Sequence, residues 1–305
     1  MNKYLYLMVL GMVISAYAQT EPPKYDWKVT LKVVDETGQP VAGAKAGIGN
    51  GIGKFEMSGL TDTNGIFIAS HRDAFENLAF YAEKPGYYSF QMTYHKGRNY
   101  KPEIWNPIQP VVLKRIIKPI PMYAKEVRTH VPDLDKPVGY DLTIGDWIAP
   151  YGKGIQSDIL FKAHFDKSNS DESDFTLTVS FPNQKDGIQE FSAPTYYLGS
   201  QGSALRSSEE APADGYQPEW IQTDNRKSGQ PAMTRQDLNR NYYFRVRTKV
   251  DDRGNIVSAH YGKIYGDFMT FKYYLNPTPN LRDIEFDPKQ NLLTNLNEFE
   301  GVSEP

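Results

Sequence analysis

The chain has 305 residues, 34 of them basic and 37 acidic, and no cysteine. That composition excludes disulfides, thiolate metal sites and a lipidated cysteine. The near-balanced charge gives no electrostatic case for nucleic acid or for an anionic membrane. Tyr (21), Phe (15), Pro (21) and Gly (24) are plentiful. Such a composition suits pleated, half-buried surfaces punctuated by turns rather than long helices.

Residues 1–18 read as a secretory signal peptide. Lys3 supplies the positive n-region, Tyr4 to Ala16 is uncharged and mostly apolar, and Ala16-Tyr17-Ala18 is an A-x-A cleavage pattern. Gln19 is then the new N-terminus. The apolar stretch is about 13 residues, short of the roughly 20 that a spanning helix needs. Cleavage removes Lys3 and leaves 33 basic against 37 acidic residues, a net charge of −4. The expected product is exported to the periplasm or the exterior. It is not lipid-anchored and has no stable membrane insertion.

Residues 19–26 form a polar leader with Pro22-Pro23. A first strand follows, in which Val29, Leu31 and Val33 alternate with Lys28, Thr30 and Lys32. Asp35-Glu36-Thr37-Gly38 is a turn. Its Asp can accept backbone N–H bonds, and its Gly can take a positive φ. The spacing recurs at Asp62–Gly65 and Asp251–Gly254, each time before a β-prone run, which argues for antiparallel sheets. Residues 27–118 make a first unit, closing on Val111-Val112-Leu113. The prolines at 119, 121, 132 and 137 mark 119–137 as a stiff, extended linker. Residues 138–297 make a second unit, with strands at 158–165, 174–181, 241–250, 255–265 and 268–275. Its polar stretch 199–238 is either a functional loop or a segment without fixed structure. Leu292, Leu296 and Phe299 have helical spacing that allows one short helix, and residues 298–305 are a tail whose end, Gly301 to Pro305, is expected to fray. The fold class is therefore all-β: two antiparallel β-sandwich domains in series after a cleaved signal peptide.

The first unit contains Val33-Val34-Asp35, Gly38, Pro40-Val41, Gly43-Ala44, Thr61-Asp62, Asn64-Gly65, Phe67 and Lys84-Pro85-Gly86-Tyr87. These residues resemble the motifs of the carboxypeptidase regulatory-like domain, a transthyretin-like, Ig-like β-sandwich. Lys32 and the glycine-rich insert Gly47 to Ser58 depart from its usual pattern. The resemblance implies a stabilising, spacing or binding module of exported bacterial proteins, and it carries no peptidase chemistry. The second unit, through Gly145-Asp146-Trp147, Pro150–Gly154 and Tyr261–Phe268, resembles only uncharacterised exported proteins.

No catalytic template is met. The five histidines, 71, 95, 130, 164 and 260, begin no zinc motif. The glycines before Lys54 lack the P-loop order, and Phe55 stands where Ser or Thr is needed. Gly199-Ser200-Gln201-Gly202-Ser203 is not a nucleophile elbow. The acids Asp166, Asp171, Glu172 and Asp174 read as a solvated hairpin tip rather than a calcium loop. No metal, cofactor or catalytic residue is expected.

Two groups are candidates for ligand binding. Trp147 and Tyr151, beside Asp146, are either a carbohydrate platform or the plug of a sandwich end. The hairpin 241–265 has the expected register Val246–His260, Phe244–Gly262 and Tyr242–Ile264 on a core face, where Gly262 makes room for Phe244. Its other face carries Tyr243–Lys263, Arg245–Tyr261 and Arg247–Ala259. Arg245 over Tyr261 is the expected cation–π pair. That face either meets a glycan or is an ordinary solvated surface. The expected function is a non-catalytic binding or adhesion protein whose partner is a glycan or an envelope protein. The alternatives are a polysaccharide-active enzyme and a structural assembly subunit.

Overall fold

The structure, a computed structural model, describes residues 25–50, 56–73, 77–95, 107–128, 131–167, 172–193, 195–196, 199–200, 202–226, 240–268 and 270–305. The signal segment, His130 and the glycine-rich tip at 51–55 lie outside these. Among the described residues every regular element is a strand, and no helix forms at 292–299. None is a helix long and apolar enough to cross a membrane.

Strand Tyr25–Asp35 lies between Ile66–Asp73, antiparallel, and Ile108–Leu113, parallel. Opposite stands a sheet in the order Gly202–Ser203, Phe90–His95, Asn77–Glu83, Lys45–Asn50, Glu56–Leu60. The alternation read from the first strand is its packing: Trp27, Val29, Leu31 and Val33 are buried against Ala46, Ile48, Phe80 and Ala82. This is a β-sandwich.

All three Asp-x-x-Gly turns share one geometry. Asp35 Oδ1 accepts the Thr37 and Gln39 amides, both at 3.0 Å. Asp62 Oδ1 accepts those of Asn64 and Ile66, and Asp251 Oδ1 those of Arg253 and Asn255. The closing glycines take φ of 81°, 72° and 78°, a region that costs an L side chain energy.

Two further sheets enclose a second core. One runs Asp146–Trp147, Val138–Asp141, Ile159–Lys167, Ser173–Ser180, Glu219–Arg226. The other runs Gly187–Ser192, Arg240–Val250, Ile256–Tyr265, Phe271–Leu275, Ile120–Val127, Phe286–Asn291. Tyr140, Phe161, Leu177 and Val179 from the first meet Tyr242, Phe244, Val246 and Tyr273 from the second.

Three expectations need correction. Ile120–Val127, read as part of a linker, is an interior strand of the six-stranded sheet. Its two prolines sit at the strand's start or before it, where no ladder bond is lost. The stretch after 199 is not free of the body. Gly202–Ser203 extends the first sandwich's sheet beside Phe90–Gln91, and Leu205, Ser207 and Ala211 are buried. The tail is docked: Glu304 pairs with Arg206 and Lys272, and Val302 is buried.

Residues 205–216 and the tail cover the outer face of the six-stranded sheet, which is therefore buried on both sides. The first sandwich joins the rest through Glu285. Its carboxylate accepts the Tyr88 hydroxyl at 2.7 Å and the amides of Ile117 and Lys118.

Candidate functional site

The site grows from one carboxylate. Asp141 ends strand Val138–Asp141, and its backbone oxygen accepts Gly145 N–H to close a turn. Its Oδ1 accepts the Thr143 hydroxyl at 2.7 Å and the amides of Thr143 and Ile144 at 2.9 and 3.2 Å. Its Oδ2 accepts the amides of Ile155 and Gln156, both at 3.0 Å. A single buried side chain thus ties together two successive loops, at 143–144 and 155–156. Burial pushes the Asp141 carboxyl up, but these bonds outweigh it and hold the group below its ordinary range.

Arg247 braces the arrangement. Its Nε and Nη2 donate to the two oxygens of Asp158 at 2.7 and 2.9 Å, and Nη2 also reaches Asp141 and Thr143. This fork-to-carboxylate geometry is the strong form of an ion pair. Burial raises the Asp158 carboxyl, with Arg247 pulling against it. Arg247 gets there through an irregularity. The register of its strand shifts between Val246 and Lys249, and Arg247 takes φ 56°. An extra residue in one strand re-aims a side chain to the other face.

The second loop is equally fixed. Asp146 accepts the amides of Trp147 and Lys153 at 2.8 and 2.9 Å. A Cβ on Gly152 would stand 2.5 Å from Trp147 O, so only glycine lets the chain approach there. The Ala149–Pro150 peptide is cis. Trp147 is 8% exposed and meets Tyr140 and Phe161 edge-on, at 5.1 and 5.4 Å between centroids. It is a sandwich plug whose margin borders a cleft of ≈ 310 Å³, with Lys125, Arg128, Asp146 and Phe299 around it. Tyr151 is 42% exposed and donates its hydroxyl to Asp133. The apolar side chains at the two loop tips, Ile144 (44%) and Ile155 (82%), face solvent. Asp141 therefore fixes the backbone at two exposed isoleucines.

The hairpin face is placed differently from expectation. Tyr243–Lys263 and Arg245–Tyr261 are paired as read. All four side chains are buried under residues 205–216, so the face is neither a solvated surface nor open to a glycan. Arg245 lies over Tyr216, at 4.7 Å, instead of Tyr261, and donates to the carbonyls of Lys185 and Ala213. Phe191 stacks on Tyr243 at 4.2 Å. Lys263 is fully buried, donates to Ser207 Oγ at 3.2 Å, and lies about 5 Å from the Tyr265 and Tyr274 rings. Arg247 does not pair with Ala259 on that face. The bulge moves it to Asp158, Asp141 and Thr143, and Tyr243, Arg245, Tyr261 and Lys263 remain together on the other side of the sheet.

Asp141, Asp158, Ile144 and Ile155 were not singled out in the sequence. The available signal was an acid at each end of the Gly145–Gly154 run, which has no meaning until the register of Arg247 is known. Among the described residues no three His, Asp or Glu side chains converge on a metal-sized site. His164 bonds Asp135, and His260 bonds the Asn276 carbonyl.

No protein-family model matches the chain, the span 27–118 included. No curated protein matches it. Among solved structures it is similar to a putative membrane-associated protein of unknown function from Bacteroides fragilis, at 10% identity over 85% of this chain and 99% of that one, with TM-score 0.25. It is also similar to a DUF3823 family protein from Parabacteroides merdae, at 9% identity over 84% and 98%, with TM-score 0.21. A third likeness, to a 3-chlorocatechol 1,2-dioxygenase from Rhodococcus opacus, has 15% identity and TM-score 0.25 and covers 32% of this chain. The chain spans about 62% of that dioxygenase's length.

Proposed function

We propose that the chain is a non-catalytic, exported binding protein of the cell envelope or exterior. In this reading a carboxypeptidase regulatory-like module precedes a larger β-sandwich. The larger unit engages a surface protein through the platform at 141–156. One observation carries the reading: Ile144 and Ile155, both exposed, project from loops locked by the buried Asp141 carboxylate. Exposed aliphatic side chains on ordered backbone lose little entropy on docking, so preorganisation favours affinity. The signal segment at 1–18 and the motifs at 27–118 supply the location and the module.

A glycan is the second reading. It is favoured by the cleft at the margin of Trp147, where Lys125, Arg128 and Asp146 surround an aromatic floor. Ring faces and paired polar groups are what sugars engage.

The deciding experiment is cross-linking in the native cell from Tyr151, followed by binding of the purified partner. Ile144→Ser/Ile155→Ser should weaken that binding about tenfold or more while the melting temperature stays put. Unchanged binding by this variant would sink the platform. Titration with a polysaccharide panel separates the glycan reading, and release of reducing ends would instead reveal an enzyme. Fractionation and N-terminal sequencing should find Gln19 first in an exported product.

A further inference from the structure

The outer face of the three-stranded sheet carries a second surface, unrelated to the 141–156 platform. Its central row is Ile68–Thr30–Ile108, from three adjacent strands. The next rows along are Ile66–Lys32–Pro110 and Val34–Val112 on one side, and Lys28–Ser70 on the other. Ile68 is 52% exposed and Ile108 68%. Lys28, Lys32, Pro110 and Val112 are exposed as well. From Lys28 to Val34 these rows hold no carboxylate. Among the described residues neither lysine has an ion-pair partner.

We propose that this face docks on an anionic bilayer surface. The pattern has both components that peripheral membrane binding requires, apolar side chains at one height and cations beside them. Lysine stems can lie along the isoleucines while their ammonium groups reach lipid headgroups. A second copy of the chain is disfavoured as the occupant. Face-to-face packing about the central row would set the four ammonium groups of two copies against each other, and the nearest acid on the face, Asp26, already pairs with Arg72. The clefts beside Tyr88 and Trp147 are lined by other residues, so neither offers this face a pocket for a partner's anchor side chain. A flat face with protruding aliphatic side chains suits a bilayer, which needs no pocket.

The test is co-sedimentation of the full mature chain with phosphatidylcholine vesicles, with and without phosphatidylglycerol. The chain should pellet with the anionic vesicles, less so in high salt. Lys28→Ala/Lys32→Ala should lower partitioning on the order of 30-fold, from about one kcal/mol per lysine. Ile68→Ser/Ile108→Ser should lower it by about tenfold or more and leave the salt dependence in place. Ile144→Ser/Ile155→Ser should pellet like the parent, which separates this surface from the platform. Thermal melts confirm that each variant folds. Failure to pellet with either vesicle overturns the proposal. So does pelleting that neither face variant alters. Cross-linking from Thr30 to an acidic protein rather than to lipid would also overturn it and make the face a protein interface.

Discussion

Arg247 grips Asp158 with both Nε and Nη2, at 2.7 and 2.9 Å, although 89 residues of chain separate the two. The pair exists because strand Arg240–Val250 breaks register at Arg247 and turns that side chain through the sheet. Leu142 N–H completes the shell of Asp158 at 2.9 Å. Through Asp141 the same guanidinium steadies the loops that carry Ile144 and Ile155. Stability and the proposed binding surface thus share one ion pair.

Removing one partner should therefore be severe. Arg247→Ala leaves the fully enclosed Asp158 carboxylate without its counter-charge, and breaking a buried pair costs about 3–5 kcal/mol. The matched double variant Arg247→Met/Asp158→Leu should recover most of that loss, since a hydrophobic replacement can be near neutral. Urea unfolding of both variants measures the difference. Arg247→Lys should resemble Arg247→Ala, because an ammonium cannot form the two-pronged contact.

Lys263 predicts a pH slope. Burial depresses its pKa well below the ordinary 10.5, with Lys114 adding to the effect. Between the folded and unfolded values the unfolded chain binds more protons, so stability rises with pH there. The cost of burying this amine is complete below the folded value and vanishes as pH climbs past 10.5. Lys263→Met should raise stability at neutral pH and flatten that slope. Melting temperatures from neutral to alkaline pH provide the check. A parent curve no steeper than the variant's would contradict the assignment.

Gly262 faces Phe244 across the hairpin, and a Cβ there would stand 2.2 Å from Phe244 Cζ and 2.2 Å from the Tyr274 carbonyl. Gly262→Ala should destabilise by about 1–3 kcal/mol or more, the range for overpacking a filled core. Phe244→Leu in the same chain should restore only part of the loss, because the backbone clash persists. Chemical denaturation of the single and double variants reads this out.

Asp35 predicts an acid limb. The Thr37 hydroxyl, at 2.6 Å, and then Arg115, at 2.8 Å, hold its carboxyl well below the ordinary 3.8. A depressed carboxylate contributes stability that is present above 3.8 and is lost as pH falls from there through the folded value. Asp35→Asn should lower the melting temperature at neutral pH and lose less on acidification than the parent. Thermal scans from neutrality to about pH 2 test the sign.

Much of the first sandwich was legible because its signals are local. Alternation at Val29, Leu31 and Val33 specifies a face, and Asp-x-x-Gly specifies a turn, whatever lies elsewhere. The hairpin from Arg240 to Tyr265 was legible as far as Val246, where alternation holds. Beyond it the bulge intervenes, and no residue type in Arg247-Thr248-Lys249 announces one. The prolines around Ile120–Val127 suggested a linker, since nothing local reveals that a strand's neighbours will arrive from residues 271–275 and 286–291.

The sequence by itself determined an all-β chain with no thiol chemistry, because composition, period and turn spacing are local properties. Only the tertiary structure decided what each face touches. It buried Tyr243, Arg245, Tyr261 and Lys263 under residues 205–216, and it carried Arg247 to Asp158. It also left Ile144 and Ile155 exposed. Whether a cationic or apolar side chain meets solvent or core depends on segments as distant as Asp141 is from Arg247, and no local pattern records their arrival.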